Sequence, residues 1–159
     1  MIKSRKPLKV KKIRPNQIVR AHNLYDFYNL QHSITKGRSQ IYGAIGEIMV
    51  MDEYGCGPQN TYDYDMIIDG YKVDVKTKVT NYAPKPHYNC TVFDYNTTQQ
   101  CDRYYFVRVL KDMTIAYLLG YIDKSDFYAR ATFGGKGEPD EQYNFMADCW
   151  NIKVSDLRY

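Results

Sequence analysis

Histidine, tryptophan and cysteine are scarce in this chain of 159 residues, with three, one and four copies respectively. Cys56, Cys90, Cys101 and Cys149 stand apart, no two form a CxxC pair, and no histidine lies beside them at ligand spacing. That pattern speaks against a zinc site and reads as reduced thiols in an intracellular protein. No apolar stretch opens the chain, so no secretory signal is expected. No run reaches the length needed to cross a bilayer, so no membrane partner is expected, and the expected location is the cytoplasm. Internal repeats and low-complexity segments are also missing. The length suits one domain, residues 1–159, large enough to bury its own core.

Acidic residues are absent from the first fourteen positions, which carry Lys3, Arg5, Lys6, Lys9, Lys11, Lys12 and Arg14. The whole chain has a net charge of +4, and without this segment the remainder is slightly acidic. A basic N-terminal arm at about 1–14 is a candidate contact for a polyanion; the plainer alternative is a solvated terminus. Lys78, further on, is a candidate for the same role. What abounds is tyrosine, 17 copies against six Phe. Its ring suits half-buried positions and can also stack on bases.

Apolar residues from Ile18 to Leu30 follow Pro15 and Asn16 and suggest a helix. Ile41, Ala44, Ile45, Ile48 and Met49 fall at helical spacing and predict a helix from about Ser39 to Tyr54, stopped by Gly55. Strands are expected at Tyr62–Ile68 and Tyr71–Lys78, then a loop over 79–89. Further strands are expected at Cys101–Leu110 and Ile115–Ile122, and a short helix at about Lys124–Ala131 capped by Asp123. A polar loop over 134–141 and a last strand after Tyr143 complete the reading. The pattern predicts a mixed α/β domain, a sheet flanked by helices.

Asp69–Gly70 between two β-type runs is a strong signal for a two-residue type I′ hairpin. The register follows: Ile68 opposite Tyr71, Asp65 opposite Asp74 and Asp63 opposite Lys76. Opposed side chains share a face. One face then shows Asp63, Asp65, Ile67, Lys72, Asp74 and Lys76. The other shows Tyr64, Met66, Ile68, Tyr71, Val73 and Val75 and is expected to pack on the core. Opposed carboxylates destabilise a sheet by roughly 0.2–1 kcal/mol, and a divalent cation reverses that sign. Mg²⁺ takes hard oxygen ligands and keeps several waters, so Asp65, Asp74 and the backbone carbonyl of Val75 make a reasonable cradle. The Lys76 ammonium, on the same face, can position a water and offset charge on a phosphorane. A polar surface hairpin is the plain alternative.

The helix before the hairpin carries Gly43, Gly46 and Glu47. Glycine inside a helix costs roughly 1 kcal/mol against alanine, so two of them suggest close backbone approach or room for a ligand. Glu47 is an isolated carboxylate in an otherwise buried stretch, which a metal-ligand or water-binding role explains; a half-exposed Glu on an amphipathic helix also explains it.

Gly-x-x-Gly-Glu on a helix, Asp65 on one strand and Val73–Asp74–Val75–Lys76–Thr77 on the next resemble the PD-(D/E)XK nuclease superfamily over residues 43–78. The segments Cys101–Val109 and Leu118–Ile122 resemble small phage-encoded members in their order of elements. The resemblance implies a restriction-endonuclease-like core, with a central mixed β-sheet flanked by helices. It implies Mg²⁺ or Mn²⁺ held by Asp65 and Asp74, Lys76 acting on the water, and Glu47 assisting as a ligand or through a water. It also implies an accessory glutamine, Gln99 or Gln100. Tyr64 stands where the family motif has proline, and Asp63 competes for the first carboxylate role; Asp65 is preferred because it faces Asp74. The expected activity is a DNA endonuclease, structure-specific or recombination-related, acting as a homodimer, with RNA a further substrate class. For a phage-encoded chain the location is the host cytoplasm. An inactive nucleic-acid-binding module of the same fold is the alternative.

Overall fold

The described part of the expected basic arm forms a sheet edge rather than a solvated terminus. The structure, a computed structural model, describes residues 8–31, 39–59, 61–141 and 143–158. Lys3, Arg5 and Lys6 lie outside the described residues. Lys9–Lys12 form strand β1. Along the chain follow α1 (Pro15–Gln31), α2 (Ser39–Tyr54), β2 (Met66–Ile68), β3 (Tyr71–Thr80), β4 (Asn89–Phe93), β5 (Arg103–Leu110), β6 (Ile115–Asp123), α3 (Lys124–Arg130), β7 (Thr132–Gly134), β8 (Pro139–Asp140), β9 (Tyr143–Asn144) and β10 (Cys149–Lys153).

Local chemistry explains the helix ends. Pro15 takes the first helical position, where its missing N–H leaves nothing unpaired. The Gln17 side chain accepts the Arg14 N–H at 2.8 Å, half of a capping box. At the end of α2, Gly55 adopts a φ of +66°. The Cys56 N–H then reaches the Met51 carbonyl at 3.1 Å, a Schellman closure. Asp123 stands at the N-cap of α3 but makes no capping bond. Its carboxylate binds Arg103 Nε at 2.8 Å instead, so the capping role expected of it is not filled.

The main sheet runs β1-β6-β5-β3-β2. β3 and β5 pair in parallel and the other neighbours antiparallel, which makes the sheet mixed. Helices α1 and α2 cover one face, burying Ala44, Ile45, Ile48, Met49, Val73, Val75, Tyr105 and Val107 in one core. The opposite face departs from the helix-flanked expectation. It is covered by a second sheet, β4-β10-β7, together with α3. Tyr104, Phe106 and Ile122 pack there against Val92, Ile152 and Phe127. β4 begins where a loop was expected, and β3 runs two residues past Lys78. Within the expected 134–141 loop, Pro139 and Asp140 pair with Asn144 and Tyr143.

Two glycines are fixed by close approach. A Cβ on Gly46 would meet Thr77 Oγ1 at 2.0 Å, so α2 lies directly on β3 there, while a Cβ on Gly43 would meet nothing within 4 Å. Gly120 has a φ of +120°, and a Cβ there would meet the Arg158 carbonyl at 2.1 Å. Arg158 bridges Tyr121 at that point. Among the described residues no helix is long and apolar enough to cross a membrane.

Candidate active site

The hairpin forms with the turn and register its sequence predicts. Asp69 and Gly70 have φ of 51° and 81°, the two positive angles of a type I′ turn. Met66, Ile67 and Ile68 face Val73, Lys72 and Tyr71. β2 is shorter than expected, however, and pairing stops at Met66. The Asp65 N–H donates to the Val73 carbonyl at 2.9 Å, so two consecutive residues crowd against Val73 as in a β-bulge.

The bulge frees the Asp65 side chain to run along the strand. Its Oδ2 accepts the Val75 N–H at 2.7 Å. A ladder residue would have bound that N–H with its backbone carbonyl; Asp65 does so with a carboxylate. The Val75 carbonyl points the same way as its N–H, toward Asp65, by strand geometry. Asp65 therefore does not sit opposite Asp74 in the ladder, yet its carboxyl group still contacts Asp74 on one side and Glu47 on the other. Asp63, expected opposite Lys76, turns away and accepts the Gln100 N–H at 3.0 Å. Tyr64 also departs from its expected face and packs with the Tyr104 and Phe106 cluster.

Glu47 and Asp74 are buried, 9% and 3% exposed. Lys76 Nζ lies 2.7 Å from Asp74 Oδ2 and donates to Gln99 Oε1 at 2.8 Å. Gln99 Nε2 bonds the Tyr62 carbonyl at 2.9 Å and approaches Asp74 Oδ1 at 3.4 Å. Of the two glutamines, Gln99 is the one that reaches the cluster, from a loop rather than a helix. Gln100 is exposed and donates to the Thr98 carbonyl.

Burial, reinforced by the charge of Glu47, pushes the Asp65 carboxyl well above the usual carboxylate range. Burial and then the charge of Asp65 push Asp74 up to about 7, against the pull of Lys76. Burial works to lower Lys76, but the charge and hydrogen bond of Asp74 outweigh it, so the ammonium is held above its ordinary value. The cluster holds an excess of carboxylate over ammonium in a desolvated place.

The donors are oxygen only and carry surplus negative charge, which suits a hard divalent cation. Acids this crowded carry a repulsion that a doubly charged ion would offset. Among the described residues no group of three His, Cys, Asp or Glu side chains already stands in a metal-holding arrangement.

The basic candidates of the arm lie elsewhere. β1 and β2 are opposite edges of the sheet, so Lys9–Lys12 stand three strands from β3, about 14 Å at ordinary strand spacing. Lys9 and Lys11 pair with Glu53 at 3.3 and 2.9 Å. Lys12 and Arg14 are exposed. Lys78 pairs with Asp140 at 2.7 Å. Sequence reasoning passed over three neighbours of the cluster. Tyr62 supplies the carbonyl that holds Gln99, and Lys124 Nζ binds the Gln99 carbonyl. The Cys101 thiol is pushed up to about 11, by burial and then by Asp74. Only the tertiary path of the 94–101 segment brings them in, and no local motif marks them.

No protein-family model matches the chain, and no curated protein shows significant similarity to it.

Proposed function

We propose that the chain is a Mg²⁺-dependent endodeoxyribonuclease, a hydrolase of DNA phosphodiester bonds built around Glu47, Asp65, Asp74 and Lys76. One observation carries the reading. Three carboxylates follow one another, Glu47 on a helix beside Asp65 on a bulged strand end and Asp65 beside Asp74 on a central strand, with the Lys76 ammonium at the Asp74 end, and burial raises the proton affinity of Asp65 and Asp74. A fold gains nothing in stability from such crowding.

When bound by Asp65 and Asp74, with Glu47 and the Val75 carbonyl as further oxygens, Mg²⁺ or Mn²⁺ would polarise the scissile phosphate and acidify a water. The chain's own groups do the rest. Lys76 is held as an ammonium by Asp74, so it works through positive charge rather than as a base. It orients the attacking water and offsets charge growing on the phosphorane. Gln99 fixes the Lys76 side chain through its Oε1 and so sets where that charge stands. Asp65, tied to the Val75 N–H, is aimed by the backbone rather than by rotamer preference alone. Cutting both strands of a duplex would call for two such sites, which a homodimer supplies.

An inactive nucleic-acid-binding module of this fold is the second reading. The direct Lys76–Asp74 contact favours it, because the ammonium itself already offsets the acid there. Incubating linear, single-stranded and four-way-junction DNA with Mg²⁺ decides between them. Cleavage that Lys76→Ala and Asp74→Ala both abolish supports the nuclease. Binding without cleavage, and a melting temperature unmoved by Mg²⁺, supports the module.

A further inference from the structure

Two of the seventeen tyrosines stand in water at the rim of the acidic cluster. Tyr62 is 60% exposed, and its carbonyl is the one that grips Gln99 Nε2. Tyr95 is 65% exposed and precedes Asn96, whose carbonyl accepts the Gln99 N–H at 3.2 Å. The Tyr95 ring stacks on Phe93, with centroids 5.4 Å apart and planes 16° apart. Each ring is therefore rooted in a segment bonded to Gln99, which itself touches Asp74 and Lys76.

Of the cations near this rim, Lys124 Nζ binds the Gln99 carbonyl and Lys72 Nζ lies over the Tyr64 ring. Lys78 is committed to Asp140, and the β1 lysines belong to the other edge of the sheet. The acids beside the rings are engaged as well. Asp63 holds the Gln100 N–H, and Asp94 accepts the Trp150 indole N–H at 3.1 Å. What the rim offers a polynucleotide is flat aromatic surface. Bases in a duplex already cover each other's faces, whereas unpaired bases have faces to offer.

We propose that Tyr62 and Tyr95 form a stacking platform for unpaired bases, so that the favoured substrate is single-stranded DNA or a single-stranded branch. The proposal rests on the nuclease reading for its direction, since the stacked bases would set the adjoining phosphodiester toward Lys76. Stacking tolerates any base, so the platform predicts selection by strandedness rather than by sequence.

The test is fluorescence anisotropy of labelled oligo-dT and of a duplex of equal length, in EDTA so that nothing is cut. The native chain is expected to bind oligo-dT at least tenfold more tightly than duplex. Tyr62→Ala/Tyr95→Ala is expected to lose about tenfold or more on oligo-dT with little change on duplex. Tyr62→Phe/Tyr95→Phe keeps the rings and is expected to bind as the native chain does. Photocrosslinking of 5-iododeoxyuridine oligonucleotide to the native chain needs no variant and is expected to mark Tyr62 or Tyr95. Equal binding of both DNAs, an alanine variant that binds oligo-dT normally, or crosslinks confined to other segments each overturn the platform. Ring-dependent oligo-dT binding with no cleavage of any DNA keeps the platform and removes the nuclease. Cleavage that depends on Lys76 but ignores both rings does the reverse.

Discussion

Asp74, Lys76 and Lys78 project from the same face of β3, yet the first two stand in a surplus of acid and the third in balance. Around Lys78 and its parallel neighbour Arg108, each cation has its own partner. Lys78 meets Asp140 at 2.7 Å and Arg108 meets Glu141 at 3.0 Å. Asn89 binds Asp140 through its side chain and Arg108 through its carbonyl. That cluster ties the β8–β9 hairpin to the main sheet, and each of its two carboxylates is matched by a cation. A few residues earlier, Asp65 and Asp74 share one ammonium, and Glu47 adds a third acid beside Asp65. Charged groups one strand-step apart thus serve different ends, and stoichiometry tells them apart better than residue type does.

The largest expected effect separates the two clusters by activity. Asp74→Ala or Lys76→Ala lowers DNA hydrolysis by about a hundredfold or more, while Lys78→Met changes the rate only a few-fold, measured as initial rates in Mg²⁺. Stability reverses the ranking. Arg108→Met leaves Glu141 without its buried partner and is expected to cost about 3 kcal/mol by denaturant unfolding, with the acidic cluster intact. Asp74→Asn, in contrast, raises the melting temperature in EDTA at pH 8, because it removes a repelled charge.

The pH dependence follows from the same surplus. Asp74 binds its proton more tightly in the native chain, at about 7, than at its ordinary value of 3.8. The native state therefore carries more protons through that window, and stability falls as pH rises from about 4 to 7. In EDTA the melting temperature is expected to drop by several degrees across the window, and Asp74→Asn is expected to flatten the drop. A melting temperature that rises with pH in the native chain would remove the assigned crowding.

The smallest effect concerns the helix that brings Glu47. Gly43→Ala is expected to stabilise by about 0.5–1 kcal/mol, since a Cβ there meets nothing. Gly46→Ala is expected to destabilise and to lower activity, since Thr77 and β3 must shift.

The turn, its register and the helix before it were legible because each rests on local rules: Asp-Gly at a two-residue reversal, alternation along a strand, helical spacing of apolar residues. The mixed sheet was legible from the order of elements. The Asp65 bulge was not, because it depends on where β2 stops pairing, and nothing between Tyr62 and Met66 announces that. The second sheet was missed for a related reason. β4 and β7 are short, and β4 lies far along the chain from its partner β10. The basic segment misled because its alternation, Lys9 and Lys11 inward to Glu53 with Val10 outward, was outweighed by its charge.

The two-residue reversal at Asp69–Gly70 also bears on the order of assembly. A hairpin of this kind closes in microseconds, long before a parallel partner such as β5 crosses back from the far side of residues 81–102. Asp65 and Asp74 therefore first meet in water, where their repulsion is screened and small. The electrostatic load arrives only when α2 with Glu47, β5 and the Gln99 segment dock over them, so it is placed on the later steps to the native state rather than on nucleation.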